Sequence, residues 1–546
     1  MMSVTNSNSA AIAEAAQTDT PAPVSALAPF RSSAFTVLWL ATVLSSIGTW
    51  MHDVGAGWLM TSLSPSPLMV ALVQTATTLP IFLFALAAGA IADIVDRRRM
   101  LMAVQAVLAV LAGVLGIIVL LDLATPSLLL LFTFAMGTGA ALTAPAWQAI
   151  VPGLVPRHAL QPAVAINSVG INIARAIGPA LAGFIITMAG VAMPFLINAA
   201  SYLVVVAALI WWRPHAPPQR RLPPEHLFGA VRTGLRYARN SAPLRATLGR
   251  AAGFFVFASA YWALLPLITR DLLGGGAELY GILLGCVGAG AVSAAFALPR
   301  LRDRLGPDRL VALGTLGTAC VLVVFAVIPD PVAAAGAGLL AGASWIAVLT
   351  SLNVSAQLSL PDWVRARGLS IFVTVFFGAM SAGSLIWGQV ASMIGIPLAL
   401  LIAAAGATAA VPLTWRWKLQ QGVGLDLAPS MHWPEPVVAG DVAHDRGPVT
   451  VTVEYRIAAA DRPAFLVAIG ELSAARRRDG AFHWTILEDA ADSERILETF
   501  RVASWLEHLR QHERVTHADR LLQEAVGRFN IGGSPKVTHW TEGVMP

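Results

Sequence analysis

The chain has little charge and almost no cysteine. Asp, Glu, Lys and Arg make up 12% of its 546 residues, against about 25% in soluble globular proteins. A soluble body of this size needs more charge on its surface. One soluble enzyme, a nucleic-acid binder with a basic face and a disordered chain are therefore excluded. The two cysteines, Cys286 and Cys320, both sit in apolar stretches, which excludes a disulfide framework and a cysteine metal site. No G-x-x-x-x-G-K-[ST] occurs anywhere, which argues against a pump driven by ATP, and no cofactor is implied. The first 30 residues hold no Lys or Arg. A secretory signal needs a basic start before an apolar core, so residues 1–30 are expected to form a disordered cytoplasmic tail.

What is present is apolar residues, 56% of the chain, with a mean hydropathy of +0.68. Residues 1–420 carry 13 acidic and 23 basic side chains, and residues 421–546 carry 18 and 13. This division points to a membrane protein followed by a soluble domain. Crossing the hydrocarbon core takes about 20 mostly apolar residues. Twelve spans meet that test, near 36–59, 68–92, 100–121, 127–151, 165–188, 191–212, 247–272, 278–298, 309–329, 331–354, 368–390 and 395–417. Residues 213–246 form a long, polar loop between the sixth and seventh. The expected order is a six-helix lobe over 31–212, a cytoplasmic interlobe loop over 213–246 and a second lobe over 247–418. A linker over 419–447 and a cytoplasmic domain over 448–546 follow.

Lys and Arg are retained on the cytoplasmic side of the membrane. With the N-terminus inside, 21 basic residues fall on inner segments, against Arg270 alone outside and Arg175 within a span. Both termini are then cytoplasmic. The halves also show weak self-similarity. Asp93 lies over Asp303 at an offset of 210, Gln148 and Pro152 over Gln357 and Pro361 at 209, and Gly178–Gly183 over Gly383–Gly388 at 205. Parallel repeats of this kind place a substrate path between the lobes near the bilayer midplane.

Gly89, Asp93, Arg97 and Arg98 form G-x-x-x-D-x-x-x-R-R after the second span, and this stretch resembles the signature loop of the major facilitator superfamily. Asp96 stands where a glycine is usual. The resemblance implies a latch between the lobes, with Asp303 and Arg304 in the matching loop of the second half; alternatively the arginines only anchor topology. Ala174–Gly183, with Gly178, Pro179 and Gly183, resembles the motif of antiporter-type members. Small residues there permit close helix approach and the proline kinks the helix. Gly48–Met60, Pro145–Arg157, Asn167–Gly183 and Leu352–Gly368 resemble the branch of enterobactin-type exporters often labelled transmembrane secretion effectors. That resemblance covers about Leu27 to Lys418 and implies the fold and export.

Charges at membrane depth are expensive and mark function by default. Asp53, beside His52, and Arg175 are such charges. Asp53 either faces a central cavity and carries a proton or sits in water at the outer interface; Arg175 is a cavity charge or a structural hub. Gln148, Asn167, Asn172, Asn353 and Gln357 are neutral candidates for the cavity or for hydrogen bonds between helices. Trp50, Trp147, Trp262 and Trp387 lie deep enough to stack on a ligand or to pack the core.

Beyond the linker, strands at Val449–Ala458, 482–490 and 495–504 and near Val537 alternate with helices over 461–478 and Trp505–Phe529. This is a β-α-β-β-α-β, ferredoxin-like order. Residues 504–520 resemble the tail domain of the same exporter branch, and the layout is similar to small dimeric monooxygenases of antibiotic biosynthesis. His483, His508, His512 and His517 raise a metal or acid–base reading. The interleaved Glu507, Arg510, Glu513 and Arg514 instead suggest a solvated or ion-paired helix, and self-association is a further role for the tail.

The expectation is an all-α membrane protein of twelve transmembrane helices in two six-helix lobes, with a small α+β ferredoxin-like domain. It exports a small drug-like or siderophore-like molecule by alternating access, through proton antiport, across the bacterial inner membrane. Its partners are that substrate, protons and lipid, with no nucleic acid, metal or catalytic residue. A membrane-tethered enzyme and a proton-coupled importer are the alternatives.

Overall fold

A computed structural model describes residues 25, 27–213, 227–420, 426–433, 443 and 445–542. Most of residues 1–30, and parts of the interlobe loop and linker, lie outside the described residues. Eleven described helices are long and apolar enough to cross a membrane. They are α1 (Ser33–Leu63), α2 (Pro67–Ile94), α3 (Arg97–Leu120), α4 (Pro126–Ile150), α5 (Leu160–Ala189), α6 (Met193–Trp211), α8 (Ala242–Leu267), α9 (Ala277–Val327), α10 (Pro331–Leu358), α11 (Arg365–Ile394) and α12 (Ile396–Thr414). A shorter helix, α7 (Leu227–Asn240), precedes α8. The count is one below the expected twelve because α9 runs for 51 residues through both 278–298 and 309–329. It breaks at Gly306, whose φ of 71° lies outside the helical range and is open to glycine at little cost.

Helix ends follow local chemistry. Ser32, Thr125 and Asp330 cap α1, α4 and α10 by accepting a hydrogen bond from a free first-turn N–H. Asp96 does the same for α3, accepting from the Arg99 amide at 2.8 Å. This gives the residue that replaces the usual glycine a structural role. Pro80, Pro145, Pro179 and Pro266 lie inside helices, where the missing donor allows a kink.

In the first bundle α1 packs on α5 and α6, α2 on α4, and α3 on α6; in the second α9 packs on α10 and α12, and α8 on α11 and α12. The bundles meet through α2 against α11 and α5 against α9. Two repeated small-residue stretches make matching contacts. A Cβ on Gly178 would lie 2.6 Å from that of Trp50 on α1, and one on Gly183 would lie 2.6 Å from the Ala277 carbonyl on α9. In the second half, a Cβ on Gly383 would lie 2.5 Å from the Val256 carbonyl on α8, and one on Gly388 would meet Ala71 on α2. In each stretch the first glycine seats the helix on the first helix of its own bundle. The second glycine seats it against the opposite bundle.

Beyond the helices stands a four-stranded antiparallel sheet in the order β2-β3-β1-β4, from β1 (Val449–Arg456), β2 (Phe482–Glu488), β3 (Arg495–Val502) and β4 (Lys536–Thr541). Helix α13 (Arg462–Arg478) follows β1. The expected single helix over Trp505–Phe529 is two, α14 (Trp505–Arg514) and α15 (His517–Gly527). The break comes from Thr516, extended at φ −99° and ψ 168°, which forms a capping box with Asp519. Its T-x-x-D pattern is a legible start signal. One sheet face, with Val449, Val451, Val453 and Tyr455, is buried under the helices.

Close backbone approach at α5 and α9 generates a prediction. A Cβ on Gly281 would stand 2.6 Å from the Pro179 carbonyl, whereas one on Gly285 would make an ordinary 3.6 Å contact with Ala180. Gly281→Val should lower the melting temperature of the purified protein through overpacking of about 1–3 kcal/mol, and Gly285→Ala should leave it nearly unchanged. Equal melting of both variants would contradict this packing.

Candidate functional site

A cavity of about 320 Å³ lies between the bundles. Its walls come from α1 (Trp50, Asp53), α2 (Gln74, Thr77, Thr78), α5 (Arg175), α8 (Trp262), α9 (Tyr280), α10 (Trp345) and α11 (Phe376, Phe377). No single helix supplies it. Asp53 and Arg175 both line it, so the two charges picked out in apolar runs fall at one place. Among the described residues, no hydrogen bond or ion pair reaches the Asp53 carboxylate. The Arg175 guanidinium sits 5.7 Å from the centre of the Trp50 ring, a cation–π distance. His52 points elsewhere: it is buried, with its ring 4.8 Å from that of Phe195.

The neutral amides are placed differently. The Asn172 amide donates to the Ser168 carbonyl at 2.8 Å, and the Gln357 amide to Asn353 Oδ1 at 2.8 Å, each within its own helix. Gln148, Asn167, Asn172, Asn353 and Gln357 do not line the cavity. Trp50 and Trp262 do, while the Trp387 indole donates to the Val256 carbonyl at 2.7 Å and Trp147 packs beside α1 and α3. Gln74, Tyr280, Trp345 and Phe376 had no local signal, because each is a single residue in an ordinary apolar helix.

Among the described residues, three hydrogen bonds join the bundles in the half away from the sheet domain. The Leu68 amide donates to Ser392 Oγ at 3.1 Å, Thr75 Oγ1 donates to the Ser381 carbonyl at 3.3 Å, and Arg270 donates to the Thr61 carbonyl. Trp58 and Tyr280 stack there, 6.1 Å between ring centres.

In the loop motifs, the backbones of Gly89 and Asp93 are helical, and the Asp93 side chain lies outside the described residues. Arg98 donates to the Leu209 carbonyl at 2.7 Å and to the Ile210 carbonyl at 3.1 Å, which ties α3 to the last turn of α6 as a cation at a helix C-terminus does. Asp303 and Arg304 are exposed. The carboxylate engaged in that second loop is Asp308. It pairs with the buried guanidinium of Arg250 on α8 and accepts from the Leu419 amide at 3.1 Å.

The tail helix is solvated and ion-paired on one face, where Glu513 is exposed and Glu507 pairs with Arg514 and Arg236, and buried on another. In α14, His508, Gln511 and Arg514 are buried. His508 and His512 face each other, with Nε2 atoms 3.3 Å apart, and His539 of β4 lies 4.6 Å from His508 between ring centres. His483 is exposed, and neither it nor His517 joins this group. Among the described residues no cluster of three His, Cys, Asp or Glu has the geometry to hold a metal ion. Burial, with neighbouring imidazoles, lowers the pKa of His508 to about 3 and of His512 to about 4, and burial lowers His539 as well.

A bundle of apolar crossings around a shared cavity holding one carboxylate and one guanidinium defines a membrane transport protein that moves small molecules. The chain belongs to the transmembrane secretion effector family, whose model matches residues 24–543. It is 26% identical over 365 residues to the staphyloferrin A transporter of Staphylococcus aureus (strain NCTC 8325 / PS 47), covering 65% of this chain and 89% of that one. It is also 26% identical over 338 residues to the enterobactin exporter EntS of Escherichia coli O1:K1 / APEC, covering 61% and 79%. Among solved structures, the nucleoside transporter NupG matches with a TM-score of 0.52 at 14% identity, over 70% of this chain and 99% of that one. A bacterial homolog of the lysosomal transporter Spinster, inward-facing and occupied, matches with a TM-score of 0.54 at 18% identity, over 71% and 94%. The chain is a multi-pass inner-membrane protein of bacterial type.

The tail imidazoles set a pH dependence. Their folded pKa values lie below the ordinary 6.5, so the unfolded tail binds protons that the folded tail excludes. Tail stability should be full above pH 6.5 and decline as the pH falls below it. Limited proteolysis of the full-length protein should show this loss, and His508→Asn should flatten it. A flat wild-type profile from pH 7.5 to 5 would contradict the burial.

Proposed function

We propose that this protein exports a small drug-like or siderophore-like molecule across the inner membrane by alternating access, in exchange for protons. The observation that carries the reading is the Asp53 carboxylate in a cavity between two bundles, unpaired among the described residues, with Arg175 of α5 in the same bundle also lining that cavity. A charged carboxylate at that depth is costly, and one facing a cavity is by default a candidate for a cycle of protonation. Arg175 provides a fixed positive charge for an anionic group of the cargo or for the deprotonated Asp53. The printed activities of the relatives, a staphyloferrin A transporter and an enterobactin exporter, support a siderophore-like cargo and, through the latter, the outward direction. The aromatic walls suit an amphipathic one.

In this reading the break in α9 separates two crossings, which makes twelve in two lobes of six, over 31–212 and 247–418. The basic inner loops place both termini and the tail domain (448–546) in the cytoplasm. The strand order and helix positions of the tail support a ferredoxin-like fold. The side away from the tail, where Leu68–Ser392 and Thr75–Ser381 bond, is then the outer side, held closed. Gly89, Asp93, Arg97 and Arg98, with Asp303 and Arg304, form the inner latch that opens and closes during exchange. Gly178, Pro179 and Gly183 form the seam on which the lobes move.

The test is pH-gradient-driven uptake of an iron-free catecholate siderophore and of a lipophilic cationic dye into inverted membrane vesicles. Wild type should accumulate at least one of them under an interior-acid gradient. Asp53→Asn should reduce gradient-driven uptake tenfold or more while substrate exchange at equal pH persists. Undiminished gradient-driven uptake by Asp53→Asn would overturn the coupling role.

A further inference from the structure

A second cavity, of about 650 Å³, lies in the tail domain, between the buried face of its sheet and α14. Its volume is that of a small-molecule site. Val451 and Val453 of β1 and Val537 of β4 give it an apolar floor, and His432 and Trp433, from the segment leading out of α12, close one side. This lining has a built polar end. Arg476 is 8% exposed, and its guanidinium lies 5.0 Å from the centre of the Trp433 ring and 5.2 Å from that of Phe500. Its Nε donates to Glu498 at 3.3 Å. Glu498 also accepts from the Tyr455 hydroxyl at 3.1 Å and the Trp484 indole at 2.9 Å. The carboxylate is thus satisfied. Arg476 also makes a side-chain hydrogen bond with Tyr455, and its side chain lines the cavity.

The other polar groups there are His508, His512 and His539. With no metal-holding geometry among the described residues, they serve as neutral hydrogen-bond partners. A planar guanidinium edge matches a carboxylate, and the ring walls match a flat aromatic body.

The helix that lines this cavity also holds the tail to the transporter. From α14, Glu507 accepts from Arg236 of α7 at 3.2 Å and from Arg514 at 2.6 Å. The Arg514 guanidinium lies 4.5 Å from the centre of the Trp363 ring, just before α11. From α13, Arg478 lies 5.6 Å from the Tyr237 ring centre, and the Tyr237 hydroxyl donates to the Ser359 carbonyl at 3.0 Å. Burial would raise the Glu507 pKa, but the guanidiniums of Arg514 and Arg236 outweigh it and hold the carboxylate below its ordinary range. The clamp is therefore charged at neutral pH.

We propose that the tail cavity is a regulatory site for a small planar aromatic carboxylate, held by Arg476 and the imidazoles of α14, whose binding strengthens the clamp on α7 and the start of α11. The direction follows from the wall: the ligand touches Trp433, α14 and the sheet together only when the segment after α12 lies across the tail, so it favours that arrangement. Helix α11 packs against α2 of the opposite bundle, which places the clamp where it can restrain movement between bundles.

The test uses the full-length protein in detergent with 2-naphthoate as probe. Equilibrium dialysis should show saturable binding that Val537→Trp, a substitution at a half-exposed position of β4 that fills the cavity, weakens at least tenfold. His512→Phe, which keeps the ring volume, should weaken it as well, and octanoate should fail to compete. Saturating 2-naphthoate should slow amide hydrogen exchange in α7 of wild type. In Glu507→Gln, which breaks the clamp outside the cavity, binding should persist without that protection. Undiminished affinity in both cavity variants, or equal competition by octanoate, would overturn the site. Unchanged α7 exchange at saturation would overturn the coupling.

Discussion

Everything in the membrane part depends on how closely α5 can approach α9, and α11 approach α2. At Gly183 and Gly281 there is room for backbone and nothing more. In lipid there is little hydrophobic drive to bring helices together, so small residues that let backbones touch become the main source of cohesion. The contact pattern is repeated. Gly178 and Gly183 do for the first bundle what Gly383 and Gly388 do for the second. A joint of this kind brings backbones into contact with few bulky side chains between them, which suits bundles that move as bodies.

That joint encloses the cavity and gives its charges their meaning. Asp53 and Arg175 come from α1 and α5 of the first bundle, while Trp262, Tyr280, Trp345 and Phe376 come from the second. A substrate held there touches both bundles at once. Its binding can therefore shift the equilibrium between their arrangements only by the difference in contacts that each arrangement makes. On the tail side, Asp308 anchors Arg250 and the Leu419 amide, so the chain leaving α12 is tied to the base of the second bundle before it reaches the tail.

Much of this was legible in the sequence, and for physical reasons. Hydropathy marks crossings because every one must be apolar for about 20 residues, and only the continuity of α9 through Gly306 altered the count. Asp53 and Arg175 stood out because charge in an apolar run is rare. The glycine stretches stood out because close approach needs them at fixed spacing. Legibility ended where partners come from distant helices. Gln74 and Trp345 look like any residues of their helices until the bundles assemble. Asp303, read from its loop, is exposed, while Asp308, five residues on, finds Arg250. In the tail, charges interleaved with His508 and His512 suggested a solvated or ion-paired helix, and Glu507 does pair with Arg514 and Arg236, but the burial of the histidines was not legible. Burial of that helix against the sheet and against Arg236 is a tertiary effect that its own pattern does not record. The T-x-x-D start of α15 was readable and marks the split in the tail helix.

The central claim is that the two bundles rock about the glycine seams, driven by the proton on Asp53. Paired spin labels test it most directly in proteoliposomes under an imposed proton gradient. One pair, at Asp122 and Asp330, spans the bundles on the side away from the tail; the other, at Val95 and Leu301, spans them on the tail side. The account predicts that the first distance lengthens as the second shortens, and that Asp53→Asn abolishes the exchange between the two populations. Distances that stay fixed, or that change together in the same direction, would contradict it.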